Sequence, residues 1–453
     1  MDLRNQRILV VGLARTGIAA ARFLHGRGAL VRVTDMATED RLAPEVKALG
    51  AMGIALELGG HRVESFTSAD LIVVSPGVPH TIPPLAAARA QGIPVIGEME
   101  LAGRFIREPI VAVTGTNGKT TVTELVGAML AASGLRVFVG GNIGTPLIGH
   151  ADSGASVEVV VAEVSSFQLD TITGFRPAVG VLLNITDDHL DRYPGFDAYA
   201  AAKMRLFENQ RSRDIAILNG SDPAISGRSA GIRSRKLFFN RSDPAAAGAA
   251  VAGSALTVRL PGRDPVTLSL AAFKLRGPHN AENAAAAALA ALAAGAVPDG
   301  IQRVLTTFTP APHRLETIAS INGVEYVNDS KATNVDAVRR GLECFAGRVV
   351  LIMGGVDKGG DFGLLRDAVS SRGRALVLLG GARGRIRAAL GGLVPTSDAA
   401  TMRQAVQAAR EMAVAGDVVL LAPGCASFDL YANYQERGDD FRREVLRLQG
   451  SDE

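Results

Sequence analysis

The chain has little with which to staple, ligate soft metals or span a membrane. Its 453 residues include only two cysteines, Cys344 and Cys425, with no C-x-x-C spacing. That excludes a disulfide framework and a thiolate zinc site, and it suits a reducing compartment. Both thiols read as small buried hydrophobes rather than nucleophiles. Tryptophan is absent and aromatics make up 5%, so no base-stacking platform is legible. The formal charge is only +3, with no Lys/Arg block, and nucleic acid is not an expected partner. The longest weakly apolar run, residues 284–297, is mostly alanine and falls short of the roughly 20 residues a bilayer span needs. It predicts a packed helix, and no membrane insertion is expected. MDLRNQRILVVG enters a strand pattern at once, with no signal-peptide pattern. A soluble cytoplasmic protein is the expectation, with a monomer as the default. No Ser/His/Asp or Cys/His triad is legible.

What is present is enough for full cores: 47% hydrophobic and 21% charged residues. The length suggests three domains at roughly 150 residues each. Three α/β segments are visible, without internal repeats. The first has strands at Ile8–Val11, Leu30–Thr34, Leu71–Val74 and Ile93–Ile96, alternating with helical patterns, which predicts a parallel doubly wound sheet. The second starts near Pro109, carries strands at Val157–Val161 and Val179–Leu183, and ends after the alanine-rich helix. The polar, small-residue stretch 221–253 within it reads as a loop or a β-rich insertion. The third starts near Pro310 and carries strands at Val349–Met353, Ala375–Leu379 and Val418–Leu421.

Residues 111–121, VAVTGTNGKTT, carry the strongest chemical signal. An apolar strand runs into Gly115-Thr116-Asn117-Gly118-Lys119-Thr120-Thr121. Such a turn aims backbone N–H groups inward, and the following helix adds its positive end. Lys119 then reaches outer phosphates, and the Thr120 hydroxyl suits Mg²⁺. The pattern is shorter than the standard phosphate loop, whose first glycine falls at Val113. Near the start of the chain, Gly12-x-Ala14-x-x-Gly17 with Asp35 closing the next strand approaches a dinucleotide fingerprint, but Ala14 replaces the glycine that admits a pyrophosphate. A domain gripping another nucleotide or diphosphate fits this turn equally well, and so does a plain strand–turn–helix corner.

Further along, Glu163 follows a buried strand, where ligands of open α/β sheets gather and where Mg²⁺ finds a hard oxygen. In NITDDHLDRY (184–193), Asp187, Asp188, His189 and Asp191 follow another buried strand. They read either as functional groups or as a solvated helix start capped by an aspartate. Lys203, in AAKMRLFEN (201–209), reads from spacing as a solvated helix lysine with no role.

Taken together with GTNGKTT, several motifs resemble the Mur ligase family over about the whole chain. They are GGNIGTP (140–146), AEVSSFQLD (162–170), NITDDHLDRY, AAKMRLFEN, GPHNAENAAAA (277–287), PHRLE (312–316), NDSKATN (328–334), GGVDKGG (354–360) and APGCASFDLYANYQERGDDF (422–441). The resemblance implies an α/β fold of three domains: a Rossmann-like N-terminal domain over 1–107 for a UDP substrate, a central P-loop ATPase-like domain over 108–310, and a C-terminal Rossmann-like domain over 311–453 for an amino acid. It implies an ATP-dependent amide ligase of peptidoglycan precursor synthesis that adds D-glutamate to UDP-MurNAc-L-Ala through an acyl phosphate, with a sister ligase or an L-Glu-adding relative as the alternative. A DNPR-type motif is absent from the last segment, which disfavours the diaminopimelate-adding sister.

The resemblance also implies site residues. Gly115, Thr116, Asn117, Gly118, Lys119, Thr120 and Thr121 would hold the ATP phosphates, and Lys119, His189 and Lys203 would be catalytic. Asn280, Asn283, Arg314, Asp329 and Lys331 would meet the rest of the nucleotide. Thr120, Glu163, His189 and Lys203 would serve two Mg²⁺ sites, Lys203 as a carbamate formed with CO₂. Arg15, Thr16, Ser75, Gly77, Asn142 and His189 would contact the UDP substrate, and Thr333, Lys358, Ser427 and Tyr434 the amino acid. Two departures stand out. Met36-Ala37 occupies a place where relatives often carry a hydroxyl or basic residue for the uracil, with Arg41 as a substitute, and Tyr434 stands where the family often has Phe. A hinge is expected near residues 308–313. On residues alone, a dinucleotide oxidoreductase and a non-enzymatic nucleotide-binding protein remain the competing classes.

Overall fold

Runs of β-branched residues separated by helical patterns build three sheets in the computed structural model, which describes residues 1–42, 44–189, 192–240 and 246–449. Asp191 and residues 241–245 of the small-residue stretch lie outside the described residues.

The first sheet is wholly parallel, in the order Ala55–Leu58, Leu30–Asp35, Arg7–Val11, Leu71–Val74, Val95–Gly97. Its strand order reverses beside Arg7–Val11, and ligand crevices form outside strand ends at such a switch point. The Gly12–Gly17 turn and the Ser75–Gly77 loop occupy that place. A Cβ on Gly17 would lie 1.8 Å from the Gly12 carbonyl oxygen, so only glycine fits there. The Ser75 hydroxyl is buried and donates to the same carbonyl at 2.8 Å.

The second sheet runs Val266–Ser269, Ala255–Arg259, Gly248–Ala252, Arg235–Phe239, Ile215–Asn219, Val179–Leu182, Ile110–Thr114, Val159–Glu163, Val137–Gly141. Its centre is parallel and buried on both faces, as continuous Val/Ile/Leu runs predict. The first three strands of this order form an antiparallel edge, and the described part of the stretch 221–253 contributes strands Arg235–Phe239 and Gly248–Ala252. Helix Pro278–Ala293 carries residues 284–291, all at 0% exposure, as expected of a packed alanine helix.

The third sheet runs Glu316–Ile321, Val324–Asn328, Val418–Leu421, Val349–Gly354, Gly373–Leu379, Thr396–Ala399. The strands expected from the sequence lie within it, and an antiparallel hairpin turning at Asn322-Gly323 connects the two further strands, Glu316–Ile321 and Val324–Asn328. Both turn residues have positive φ, 51° and 77°, the geometry that selects Asn-Gly.

The chain divides into two compact units. One comprises residues 1–185, 197–269 and 284–304 and holds the first two sheets; the other comprises 186–196, 270–283 and 305–453 and holds the third. Within the first unit, Glu100 joins the two sheet bodies: its Oε2 accepts the N–H groups of Thr173, Gly174 and Phe175 at 2.8–3.0 Å. Among the described residues no helix is long and apolar enough to cross a membrane.

Candidate active site

Strand Ile110–Thr114 delivers the phosphate loop. Gly118, at φ 85°, caps helix Lys119–Ala132 in a left-handed conformation that side chains resist. The N–H groups of a helix's first turn have no acceptor within the helix, and with the macrodipole they favour an anion. Lys119 Nζ donates to the carbonyls of Gly115 (3.0 Å) and Thr116 (2.8 Å), so the ammonium lies across the loop. Asn184 stitches the loop from the neighbouring strand end. Its carbonyl accepts the Thr116 N–H at 2.9 Å, its Oδ1 accepts the Asn117 N–H at 2.8 Å, and its Nδ2 donates to the Asn117 carbonyl at 3.1 Å.

Glu163 closes strand Val159–Glu163 and is 2% exposed. The Thr120 hydroxyl donates to its Oε2 at 2.6 Å, and Asn142 Nδ2 donates to its Oε1 at 2.7 Å. A buried carboxylate touching a hydroxyl offers two hard oxygens beside a phosphate cradle. Among the described residues no group of three His, Cys, Asp or Glu side chains is gathered for a metal. Two oxygens are fewer than a magnesium ion takes, so any such ion there would draw its other ligands from elsewhere.

Lys203 corrects the expectation from spacing. It is 1% exposed, not solvated; its Nζ donates to the Gly115 carbonyl at 2.8 Å and lies 4.5 Å from the Tyr199 ring centroid. The small neighbours Ala200 and Ala202 are also buried, which lets helix Phe196–Met204 pack closely and turns the long side chain inward. Tyr199 in turn bonds the Thr116 hydroxyl at 3.2 Å.

At the first sheet, Arg15 is exposed and its guanidinium donates to the Gly144 carbonyl, in the loop that carries Asn142. Thr16 is half-buried and Gly77 exposed beside it. Both Asp35 oxygens are taken by backbone N–H groups, Leu13 at 2.6 Å and Ala37 at 2.8 Å. The acid of the dinucleotide fingerprint thus fastens its own turn.

In the second unit, two parallel neighbours, Val324–Asn328 and Val418–Leu421, end in the loops that carry Asp329, Lys331 and Thr333 and then Ser427. Asp329 keeps an accessible edge, yet the protein packed around its carboxyl raises it to about 7, against the Leu315 N–H and the Arg314 charge, which lower it. Arg314 lies between two residues of positive φ, His313 (66°) and Leu315 (45°), a costly backbone for side chains with a Cβ. Lys331 Nζ sits 4.0 Å from the Tyr434 ring centroid. Tyr434 is half-buried rather than core. Ser427 is buried and lies seven residues before helix Tyr434–Gln449. Lys358 is held rather than solvated: its Nζ pairs with Asp188 Oδ1 at 3.3 Å. Asp188 also accepts from Asn334 Nδ2 at 3.2 Å and lies 3.7 Å from His189 Nε2. Neither Asp187 nor Asp188 starts a helix. Asn280 and Asn283 are buried inside the first turns of their helix, Asn280 Nδ2 donating to the Arg276 carbonyl at 2.6 Å and Asn283 Nδ2 to Asn280 Oδ1 at 3.1 Å.

Sequence reasoning misses Arg437. It is 2% exposed, and its guanidinium donates to Ser330 Oγ (3.0 Å), the Ser330 carbonyl (2.8 Å) and the Cys425 carbonyl (3.1 Å). Burial pulls it down to about 10. It ties the Asp329–Thr333 loop to the loop before Ser427. A helix arginine reads from sequence as surface; its spacing of three from Tyr434 is the only local hint.

Fold and site together define an α/β protein of three sheets with a glycine-rich phosphate-loop turn and a buried carboxylate hydrogen-bonded beside it. Three family profiles match in chain order: Mur ligase MurD-like, N-terminal domain (residues 6–97), Mur ligase middle domain (113–291) and Mur ligase, glutamate ligase domain (313–425). UDP-N-acetylmuramoylalanine--D-glutamate ligase of Desulfosudis oleivorans is 53% identical over 452 residues, covering 100% of this chain and 98% of that one. A pseudomurein peptide ligase type C from Methanothermus fervidus shares the fold with a TM-score of 0.62 at 20% identity, covering 98% of this chain and 100% of that one. MurF ligase from Thermotoga maritima, in complex with ADP, gives 0.60 at 15% identity, covering 98% and 96%. The chain belongs to the Mur ligase family.

Proposed function

We propose that the chain joins D-glutamate to UDP-MurNAc-L-Ala, driven by ATP, in the making of peptidoglycan precursors in the cytoplasm. The observation that carries this reading is the Thr120–Glu163–Asn142 cluster, in which phosphate loop, cation oxygens and substrate loop meet. The end-to-end likeness to D-glutamate ligases supports the choice of amino acid.

A carboxylate is a poor electrophile. Attack of the UDP-MurNAc-L-Ala carboxylate on the γ-phosphate breaks the terminal phosphoanhydride and gives an acyl phosphate and ADP. The D-Glu amine then adds to the carbonyl carbon, loses a proton, and phosphate leaves with the electron pair. Anions crowd the first step, so charge screening and positioning do most of the work. A magnesium ion held by Thr120 and Glu163 would screen the triphosphate. The loop residues 115–121 and Lys119 bind phosphate oxygens, and Asn280, Asn283, Arg314, Asp329 and Lys331 hold the remainder of ATP. Arg15, Thr16, Ser75, Gly77 and Asn142 form the UDP side, with Ser75 acting through the turn it braces. Thr333, Lys358, Ser427 and Tyr434 hold D-Glu; the pairing of Lys358 with a carboxylate supports that role.

Lys203 as an ammonium offers donors, not metal-binding lone pairs. We assign it to a second cation with His189 only as a carbamate, which reverses its charge. Lys203→Ala then loses activity, and short carboxylic acids restore part of it; absence of any rescue rejects the carbamate.

The deciding experiment measures phosphate release from ATP with UDP-MurNAc-L-Ala and D-Glu omitted in turn. Release that needs both supports the reading. Release that needs neither, or no release, overturns it, and L-Glu replacing D-Glu with equal efficiency assigns the alternative amino acid.

A further inference from the structure

We propose that Glu98 is a positioning residue for the UDP-bearing substrate, holding the loop 140–146 in place from the end of the first sheet; the proposal rests on the function read above. Strand Val95–Gly97 hands over directly to helix Glu98–Gly103. Glu98, its first residue, is 2% exposed. Its Oε1 accepts the Ile148 N–H at 2.7 Å, while its Oε2 is buried with no hydrogen-bond partner. The surroundings are apolar: Met99, Leu101, Leu147 and Ile148 are all at 0–1% exposure. A carboxyl is an expensive side chain to bury for packing alone, and burial raises this one to about 7.

What it touches explains the expense. Ile148 is the second residue of helix Leu147–Ser153, whose cap, Pro146, makes no side-chain hydrogen bond. First-turn N–H groups of a helix lack acceptors within it, and here the acceptor comes from 50 residues earlier, in the body that carries the UDP side. The loop before that helix is internally tied, with the Gly141 N–H bonded to the Thr145 carbonyl at 2.9 Å. Its two working contacts face opposite ways. Gly144 receives Arg15 of the first sheet, and Asn142 is bound to Glu163 through both its side chain (2.7 Å) and its N–H to the Glu163 carbonyl (2.9 Å). Glu98 anchors the end of this loop that neither contact reaches. Without it the helix start is free to shift, and Asn142 and Gly144 shift with it.

The test is steady-state kinetics of the full-length enzyme carrying Glu98→Ala or Glu98→Gln. Glu98→Ala raises KM for UDP-MurNAc-L-Ala about tenfold while KM for ATP and for D-Glu stay within about twofold, the pattern of lost ground-state positioning. Glu98→Gln, whose carbonyl oxygen accepts the same N–H, stays within about threefold of wild type for all three. An equal rise in the three constants, an unchanged UDP-MurNAc-L-Ala constant, or Gln as impaired as Ala overturns the proposal. If Glu98→Ala does not fold, Glu98→Asp, one methylene too short, must show the same selective rise or the proposal fails. A wild-type enzyme that never turns over UDP-MurNAc-L-Ala rejects the function itself, which separates the two failures.

Discussion

The Gly115 carbonyl accepts two ammonium groups at once, Lys119 at 3.0 Å and Lys203 at 2.8 Å. One lysine was legible in the sequence because its spacing from Gly118 has a mechanism. The other was not, since its burial depends on neighbours distant in the chain. Glu163 was legible from its place at a strand end; Arg437 was not, because nothing local distinguishes a buried helix arginine from a surface one. Glu163→Gln leaves the fold intact and lowers kcat about 100-fold or more, measured with ATP, UDP-MurNAc-L-Ala and D-Glu all saturating. Arg437→Ala strands the Ser330 and Cys425 carbonyls and costs about 3 kcal/mol in urea unfolding. Glu98 titrates near 4.5 unfolded and about 7 folded. The native state therefore holds more protons between those values, and stability falls as pH rises through that window, by about 3 kcal/mol at most. Glu98→Gln flattens this slope in urea midpoints taken at successive pH values. Asp329, also raised to about 7, leaves a residual slope of the same sign.

At the level of elements, buried parallel strands announced themselves as continuous apolar runs, and Leu71–Val74 and Val418–Leu421 match the sequence reading residue for residue. The hairpin Glu316–Asn328 did not, because its first strand mixes polar and small residues on a sheet edge. The signal that locates it is Asn322-Gly323 between two strand patterns. Asn322→Val at φ 51° should cost about 1–2 kcal/mol in thermal or urea unfolding, and Asn322→Gly should be close to neutral. The strained pair around Arg314 belongs to the same scale. His313 tolerates φ 66° because its carbonyl accepts the Lys331 N–H at 3.2 Å and its N–H donates to Glu316 Oε2 at 3.0 Å.

For the whole molecule, motif order carried most of the reading: phosphate loop, acidic strand end and late lysine and serine loops follow one another as in the family. Periodicity alone would have left a generic α/β chain. If D-Glu is bound by Thr333, Lys358, Ser427 and Tyr434, as proposed, its amine must reach the carboxylate to be activated. Closure about residues 308–313 is therefore expected, and X-ray scattering should show a smaller radius of gyration with an ATP analogue and UDP-MurNAc-L-Ala together. Unchanged scattering counts against the hinge.

The alanine helix bears on how this chain tolerates change. Residues 284–291 have no exposed surface, so methyl groups, and one leucine, fill the space around this helix. A segment that looks compositionally like a spacer is thus among the least forgiving: a single Ala→Val or Ala→Leu there forces neighbouring layers apart at about 1–3 kcal/mol, while many bulkier positions elsewhere have room to adjust. Repetitive sequence, in this protein, marks a helix whose alanines between 284 and 291 have no surface left to spare.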